Sequence, residues 1–144
     1  MALKGGDALR KRLEKIALSM GGAHEVSVGF MEAATYPDGT PVAAVAYWNE
    51  FGKPGQPARP FFRTMIAAES PSWSIKLGKL GPATGYDASK MLALMGEDIR
   101  GALQQSINTF ESPPLSERTV EAKGFAKPLI DTAQMLNSVD YEVK

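Results

Sequence analysis

Apolar residues recur every three or four positions between Asp7 and Met20: Leu9, Leu13, Ile16, Ala17 and Met20 share one side, while Arg10, Lys11, Arg12, Glu14 and Lys15 fall mostly on the other. This spacing predicts an amphipathic helix. Asp7 is placed to cap its first turn, and Gly21-Gly22 to end it through left-handed backbone conformations. From His24 to Met31 the period changes to two, with Val26, Val28 and Phe30 against Glu25, Ser27 and Gly29, which predicts a half-buried strand. Tyr36-Pro37-Asp38-Gly39 has turn chemistry, since Pro37 presets φ and Gly39 tolerates positive φ. Thr40 as N-cap and Pro41 as first helical residue then open a short helix with Val42, Val45, Ala46 and Asn49 on one face, ending at Gly52 in a left-handed conformation.

Lys53 to Arg59 holds two prolines and a glycine and is expected to be an extended loop. Pro60 opens a second short helix carrying Phe61, Phe62, Met65 and Ile66, which Pro71 should break or kink, leaving Trp73, Ile75, Leu77 and Leu80 to a separate turn or two. Gly78 to Gly85 reads as a flexible connection. The longest helix is expected from Asp87 as N-cap to Phe110, with Leu92, Met95, Ile99, Leu103, Ser106 and Phe110 on its inner face and Gly96, Gly101 and Ala102 permitting close approach of another backbone. Ser112 to Lys127 is polar and proline-marked, a loop unless Ser116 caps a short helix through Val120. Asp131 caps a last helical segment, Thr132 to Asn137. Val139, Tyr141 and Val143 then alternate with Asp140 and Glu142 as a strand that pairs antiparallel with Val26 to Phe30. The expected fold is α+β: a small antiparallel sheet packed against a long helix and several short helices.

Composition narrows the function. A chain of 144 residues, 44% hydrophobic and 22% charged, suits one domain spanning residues 1–144 with one core. Sixteen basic and sixteen acidic residues cancel, so no global field favours nucleic acid or an anionic membrane, and the self-repulsion that opposes self-association is missing. The absence of cysteine removes disulfides, thiolate zinc sites and Cys nucleophiles. With no apolar run of about eighteen residues and no basic region followed by an apolar stretch near Met1, neither a membrane span nor a secretion signal is expected.

Candidate chemistry is sparse. His24 is the single histidine, which leaves little room for a Ser-His-Asp arrangement and none for a site needing two imidazoles. Gly81-Pro82-Ala83-Thr84-Gly85 precedes a helix but lacks the Lys-Ser or Lys-Thr pair of a phosphate loop. Glu97 and Asp98 point about 100° apart on a helix, and the other carboxylates are scattered. No catalytic residue, metal site or cofactor is expected. Phe51, Phe61 and Phe62, interleaved with Lys53, Arg59 and Arg63, superficially suggest a single-strand-binding platform. The neutral charge favours core packing for these rings instead.

Val45-Ala46-Tyr47-Trp48-Asn49-Glu50-Phe51-Gly52, followed by Pro57-Ala58-Arg59-Pro60-Phe61-Phe62-Arg63, resembles a paired signature of tailed-bacteriophage tail-completion and neck proteins, in which a helix ends in Asn-Glu-Phe-Gly or His-Glu-Phe-Gly and a loop leads to Pro-Ala-Arg-Pro-Phe. Pro128-Leu129-Ile130-Asp131-Thr132, leading to Leu136-Asn137-Ser138-Val139, is similar to the carboxyl-terminal part of that group, which usually has glycine where this chain has Ala133. The resemblance implies a structural, non-enzymatic subunit at the head-tail junction or tail end. It would assemble in the bacterial host cytoplasm into the virion neck or tail, forming a homo-oligomeric ring and joining other phage neck or tail proteins. Asn49, Glu50, Phe51, Gly52, Arg59, Pro60, Phe61, Pro128, Leu129, Asp131 and Thr132 then serve structure or interface. Pro57 and Pro60 stiffen the loop holding Arg59, which suits a carboxylate such as Glu50 within the fold or one on a neighbouring subunit, with the intramolecular role favoured. Gly78 to Gly85 and Ser112 to Lys127 are the expected contact-forming segments. The alternative is a nucleic-acid-binding accessory protein of phage morphogenesis using Arg59, Arg63, Lys76 and Lys79.

Overall fold

A computed structural model describes residues 4–110 and 133–144. In chain order these form α1 (Gly6–Met20), β1 (Val26–Phe30), α2 (Val42–Phe51), α3 (Phe61–Thr84), α4 (Ala88–Thr109), α5 (Gln134–Asn137) and β2 (Val139–Val143). The α+β class is as expected. β1 and β2 pair antiparallel with Val26 opposite Val143, Val28 opposite Tyr141 and Phe30 opposite Val139, so their apolar residues share the face that α4 covers. Ser27, Gly29, Asp140 and Glu142 lie on the other face.

The largest difference from expectation is α3. Pro71 and Pro82 both lie inside it, and it runs without interruption for 24 residues, two more than α4. Gly78 to Gly85 is therefore the last two turns of a helix and its cap, not the flexible connection expected. Helix α3 packs antiparallel along α4: Ser106 Oγ donates to the Phe61 carbonyl (2.8 Å) at one end, and Lys76 Nζ meets Asp98 (2.8 Å) in the middle. At the other end the reversal takes two residues, Gly85 (φ 65°) and Tyr86 (φ 60°), both left-handed. The Tyr86 N–H returns to the Gly81 carbonyl (2.8 Å). Its ring covers Gly81, where a Cβ would stand 2.8 Å from Cε1. Packing along a whole helix face outweighs the roughly 3 kcal/mol interior cost of a proline.

Smaller corrections concern caps. Gly5 (φ 91°) is the N-cap of α1, and Asp7 sits within the first turn, where its charge favours the helix dipole. Gly21 ends α1 in right-handed geometry (φ −80°). The turn before α2 forms as read: Gly39 (φ 86°) donates to the Tyr36 carbonyl (2.9 Å). Asp38 Oδ1 accepts from the Thr40 N–H (2.9 Å), a bond that holds its pKa below the usual range. The N-cap of α2 is Pro41, one residue later than expected. Asp87 caps α4 by accepting from the Lys90 N–H (3.1 Å). The expected cap Asp131, with Pro128, Leu129, Thr132 and the whole of Ser112 to Lys127, lies outside the described residues. α5 begins at Gln134, after Ala133 in left-handed geometry (φ 58°).

The core gathers Val42, Ala46, Phe61, Met65, Leu103, Ile107, Met135 and Val139 between the helices and the sheet. Gly96 sits where α4 crosses the strands, and a Cβ there would lie 2.5 Å from Tyr141 Cδ2 and 3.0 Å from Val26 Cγ2. Gly101, expected to do the same, faces open space.

Gly96→Ala should lower stability in urea unfolding by about 1 to 3 kcal/mol through overpacking, whereas Gly101→Ala should raise it by about 0.5 to 1 kcal/mol. Ala133→Gly should raise stability by up to about 1 kcal/mol, because relief of the left-handed strain exceeds the added freedom of the unfolded chain; a loss on thermal unfolding would contradict the strained geometry.

Candidate functional site

The end of α2, the loop from residue 52 to 60 and the first turn of α3 form one hydrogen-bonded unit. Gly52 leaves α2 at φ 78° and ψ 170°, a region open essentially to glycine alone and not the left-handed helical one expected. A Cβ there would stand 2.9 Å from the Ala58 nitrogen. The chain then folds back tightly, with Lys53 N–H to the Gln56 carbonyl (3.0 Å) and Gln56 N–H to the Lys53 carbonyl (2.8 Å). Asn49 holds this loop. Its carbonyl accepts from the Arg59 N–H (2.6 Å), its side-chain oxygen from Gln56 Nε2 (2.9 Å), and its amide donates to the Val45 carbonyl (2.9 Å).

Glu50 performs the second function of the unit. α3 begins after Pro60, an N-cap with no side-chain acceptor, so its first N–H groups need partners from elsewhere. The Glu50 carboxylate accepts from Phe62 N–H (2.9 Å) and Arg63 N–H (3.1 Å). The Arg63 side chain closes the arrangement, with Nε on Glu50 Oε1 (2.7 Å) and Nη2 on the Glu50 carbonyl (3.1 Å). Glu50 is thus paired with Arg63, not with Arg59. Its side chain is 8% exposed and that of Arg63 is 57% exposed, so the enclosed backbone bonds contribute more than the half-solvated ion pair.

Arg59 is 5% exposed, and burial lowers its pKa from the ordinary guanidinium value. Phe61 is fully buried, as expected. Phe51 is not: it is 53% exposed and Tyr47 61% exposed, with the two rings 4.7 Å apart. Arg63 lies 4.8 Å from the Phe51 centroid, and Lys53 lies 4.6 Å from that of Trp48. Beside these rings opens a groove of about 310 Å³ walled mainly by apolar side chains from Phe30, Ala43, Ala46, Tyr47, Phe51 and Phe62.

Among the described residues no group of three or more His, Asp or Glu side chains could hold a metal ion, and no helix is long and apolar enough to cross a membrane. His24 lies just before β1, its N–H on the Lys144 carbonyl (2.7 Å). Of the four cations suggested for nucleic acid, Arg59 is buried, Arg63 is held by Glu50, Lys76 is paired with Asp98 (2.8 Å) and Glu69 (3.8 Å), and Lys79 is exposed. The hydrogen bond to Asp98 is the main cause of the raised Lys76 pKa.

The sequence signature joins Asn49, Glu50, Gly52, Arg59, Pro60 and Arg63, but the pairing of Arg63 with Glu50, the part of Gln56 and the outward ring of Tyr47 were not foreseen. The available signal for Arg63 was its position three residues after Pro60, where an acid from a neighbouring helix can meet both the dipole and a side chain. Comparison with protein-family models, curated proteins and solved structures gives no match.

Replacing Glu50 with Ala should cost about 2 to 3 kcal/mol in chemical denaturation, since two helix-end N–H groups lose their acceptor. Glu50→Gln, which keeps one acceptor oxygen, should cost less than half as much. Equal losses would mean that charge and not capping dominates.

Proposed function

We propose that the chain is a structural subunit of a tailed-bacteriophage particle, acting at the head-tail junction or tail end by docking against copies of itself and other neck or tail proteins. The observation that carries this reading is the exposed aromatic face of α2: Tyr47 and Phe51 stand out beside an apolar groove and are fixed by the Asn49 and Glu50 network beneath them. Aromatic residues with an adjacent arginine on a rigid frame are what protein interfaces use as anchors. The resemblance of Asn49 to Gly52 and Pro57 to Arg63 to the tail-completion and neck signature supplies the setting. Folding and docking then share one motif, with Asn49, Glu50 and Gly52 holding the frame and Phe51 serving the contact.

The test is made in a host producing the particle. Without the chain, DNA-filled heads and tails should accumulate separately, and wild-type chain supplied in trans should restore joined particles in electron micrographs. A Tyr47→Asp, Phe51→Asp double variant that remains folded should restore fewer by about tenfold or more, the scale of losing an interface anchor. Normal particles made without the chain would refute the role, and salt-dependent binding to DNA by the purified chain would favour the accessory reading.

A further inference from the structure

Helix α1 is an element that the other described residues leave largely uncovered. None of its fifteen residues is buried, and Leu9 and Leu13 are 59% and 56% exposed, with Ala17 and Met20 continuing the same stripe. A lone helix of this length is marginal in water, because most helical stability in proteins comes from packing an apolar face. At about 22 Å long, and followed by Gly22 lying beside Ser89 of α4, it has the form of an arm.

The same molecule offers an apolar groove and a matching charge pattern. The first twenty residues hold five basic side chains, Lys4, Arg10, Lys11, Arg12 and Lys15, against Asp7 and Glu14. Because the whole chain is neutral, the remainder carries an acidic excess of three. Part of that excess, Asp140 and Glu142, is exposed on the outer face of the sheet, with Lys144 Nζ 3.6 Å from the Glu142 carboxylate. This face adjoins the groove, since the Phe62 wall lies 3.8 Å from the Cβ position of Gly29, the cross-strand partner of Asp140. An anionic bilayer is the weaker fit to the arm, because α1 has none of the aromatic residues that interfacial helices often set at the headgroups.

We propose that α1 of one copy lies in the α2 groove of a second copy, with Leu9 and Leu13 on Tyr47, Phe51 and Phe62 and its basic residues toward Asp140 and Glu142. This rests on the reading of the chain as a self-associating subunit and names what fills its docking face. The contact joins unlike surfaces, so each copy gives one arm and receives one.

That asymmetry gives the test. The full-length chain, a Leu9→Glu, Leu13→Glu arm variant and an Ala43→Arg groove variant, each checked for folding by circular dichroism, are compared by analytical ultracentrifugation. The wild type should self-associate, and each variant alone should do so about tenfold or more weakly. An equimolar mixture of the two variants should form a dimer and stop there, since it retains one intact arm and one intact groove. Variants that associate like wild type, or a mixture that stays monomeric, would overturn the contact. So would a monomeric wild type that binds phosphatidylserine vesicles through Leu9 and Leu13. A monomeric wild type that is still incorporated into particles overturns this contact alone, while normal particles lacking the chain overturn the assembly role itself.

Discussion

The carboxylate of Glu50 decides how the helices sit on one another. A helix that starts directly after a proline loop exposes N–H groups that its own chain does not satisfy, and Pro60 supplies no side-chain acceptor. Glu50 provides one from the end of α2, and Arg63 answers with bonds to both the carboxylate and the carbonyl of the same residue. These links fix the end of α2 to the start of α3. Because α3 lies along α4 and α4 carries the sheet, the direction in which Tyr47 and Phe51 face is set by the whole body.

Periodicity in the sequence was sufficient for the elements whose polar and apolar faces differ, namely α1, β1, α4 and β2, and the alternation of Val139 to Val143 even gave the strand its partner. It failed for α3, where Pro71, Gly78, Gly81, Pro82 and Gly85 each argue locally for interruption. What overrides them is nonlocal: the face of α4, and the Tyr86 ring that needs the bare surface of Gly81. Single-residue propensities carry no information about such a partner. Helix ends were misread for a related reason, since Asp7 and Thr40 are good caps in isolation while the backbone geometry that the body requires puts Gly5 and Pro41 there.

In the site, the sequence identified the residues that hold the frame more successfully than it assigned their partners. Asn49, Glu50 and Gly52 are legible because an amide, a carboxylate and a glycine at a helix end each have few uses. Which arginine meets Glu50 depends on the turn through Gly55 (φ 81°) and Gln56, whose path no spacing rule supplies. Phe51 illustrates the opposite error. Composition places phenylalanine inside, but Asn49 and Glu50 already occupy the buried corner of α2, so the next residue must turn outward. An exposed aromatic on a rigid helix is more informative than a buried one, because folding alone does not account for it.

A contact between an arm and a groove generates a closed ring when the rotation repeated at each copy divides a full turn, and an open filament when it does not. That rotation is the angle between arm and groove within one molecule. Its groove side is rigid, being tied down by Glu50 and by the glycine-only turn at Gly52. Its arm side is the junction of α1 with the body, where Gly21 and Gly22 lead into buried Ala23 and a Cβ on Gly22 would stand 3.2 Å from Ser89 Oγ. A side chain at Gly22 would crowd the Ser89 hydroxyl by a few tenths of an ångström where the chain leaves α1 for the body, whereas the α2 groove would not be touched. If α1 docks as proposed, the angle at the Gly21-Gly22 junction would set the geometry of the assembly and the aromatic face its strength.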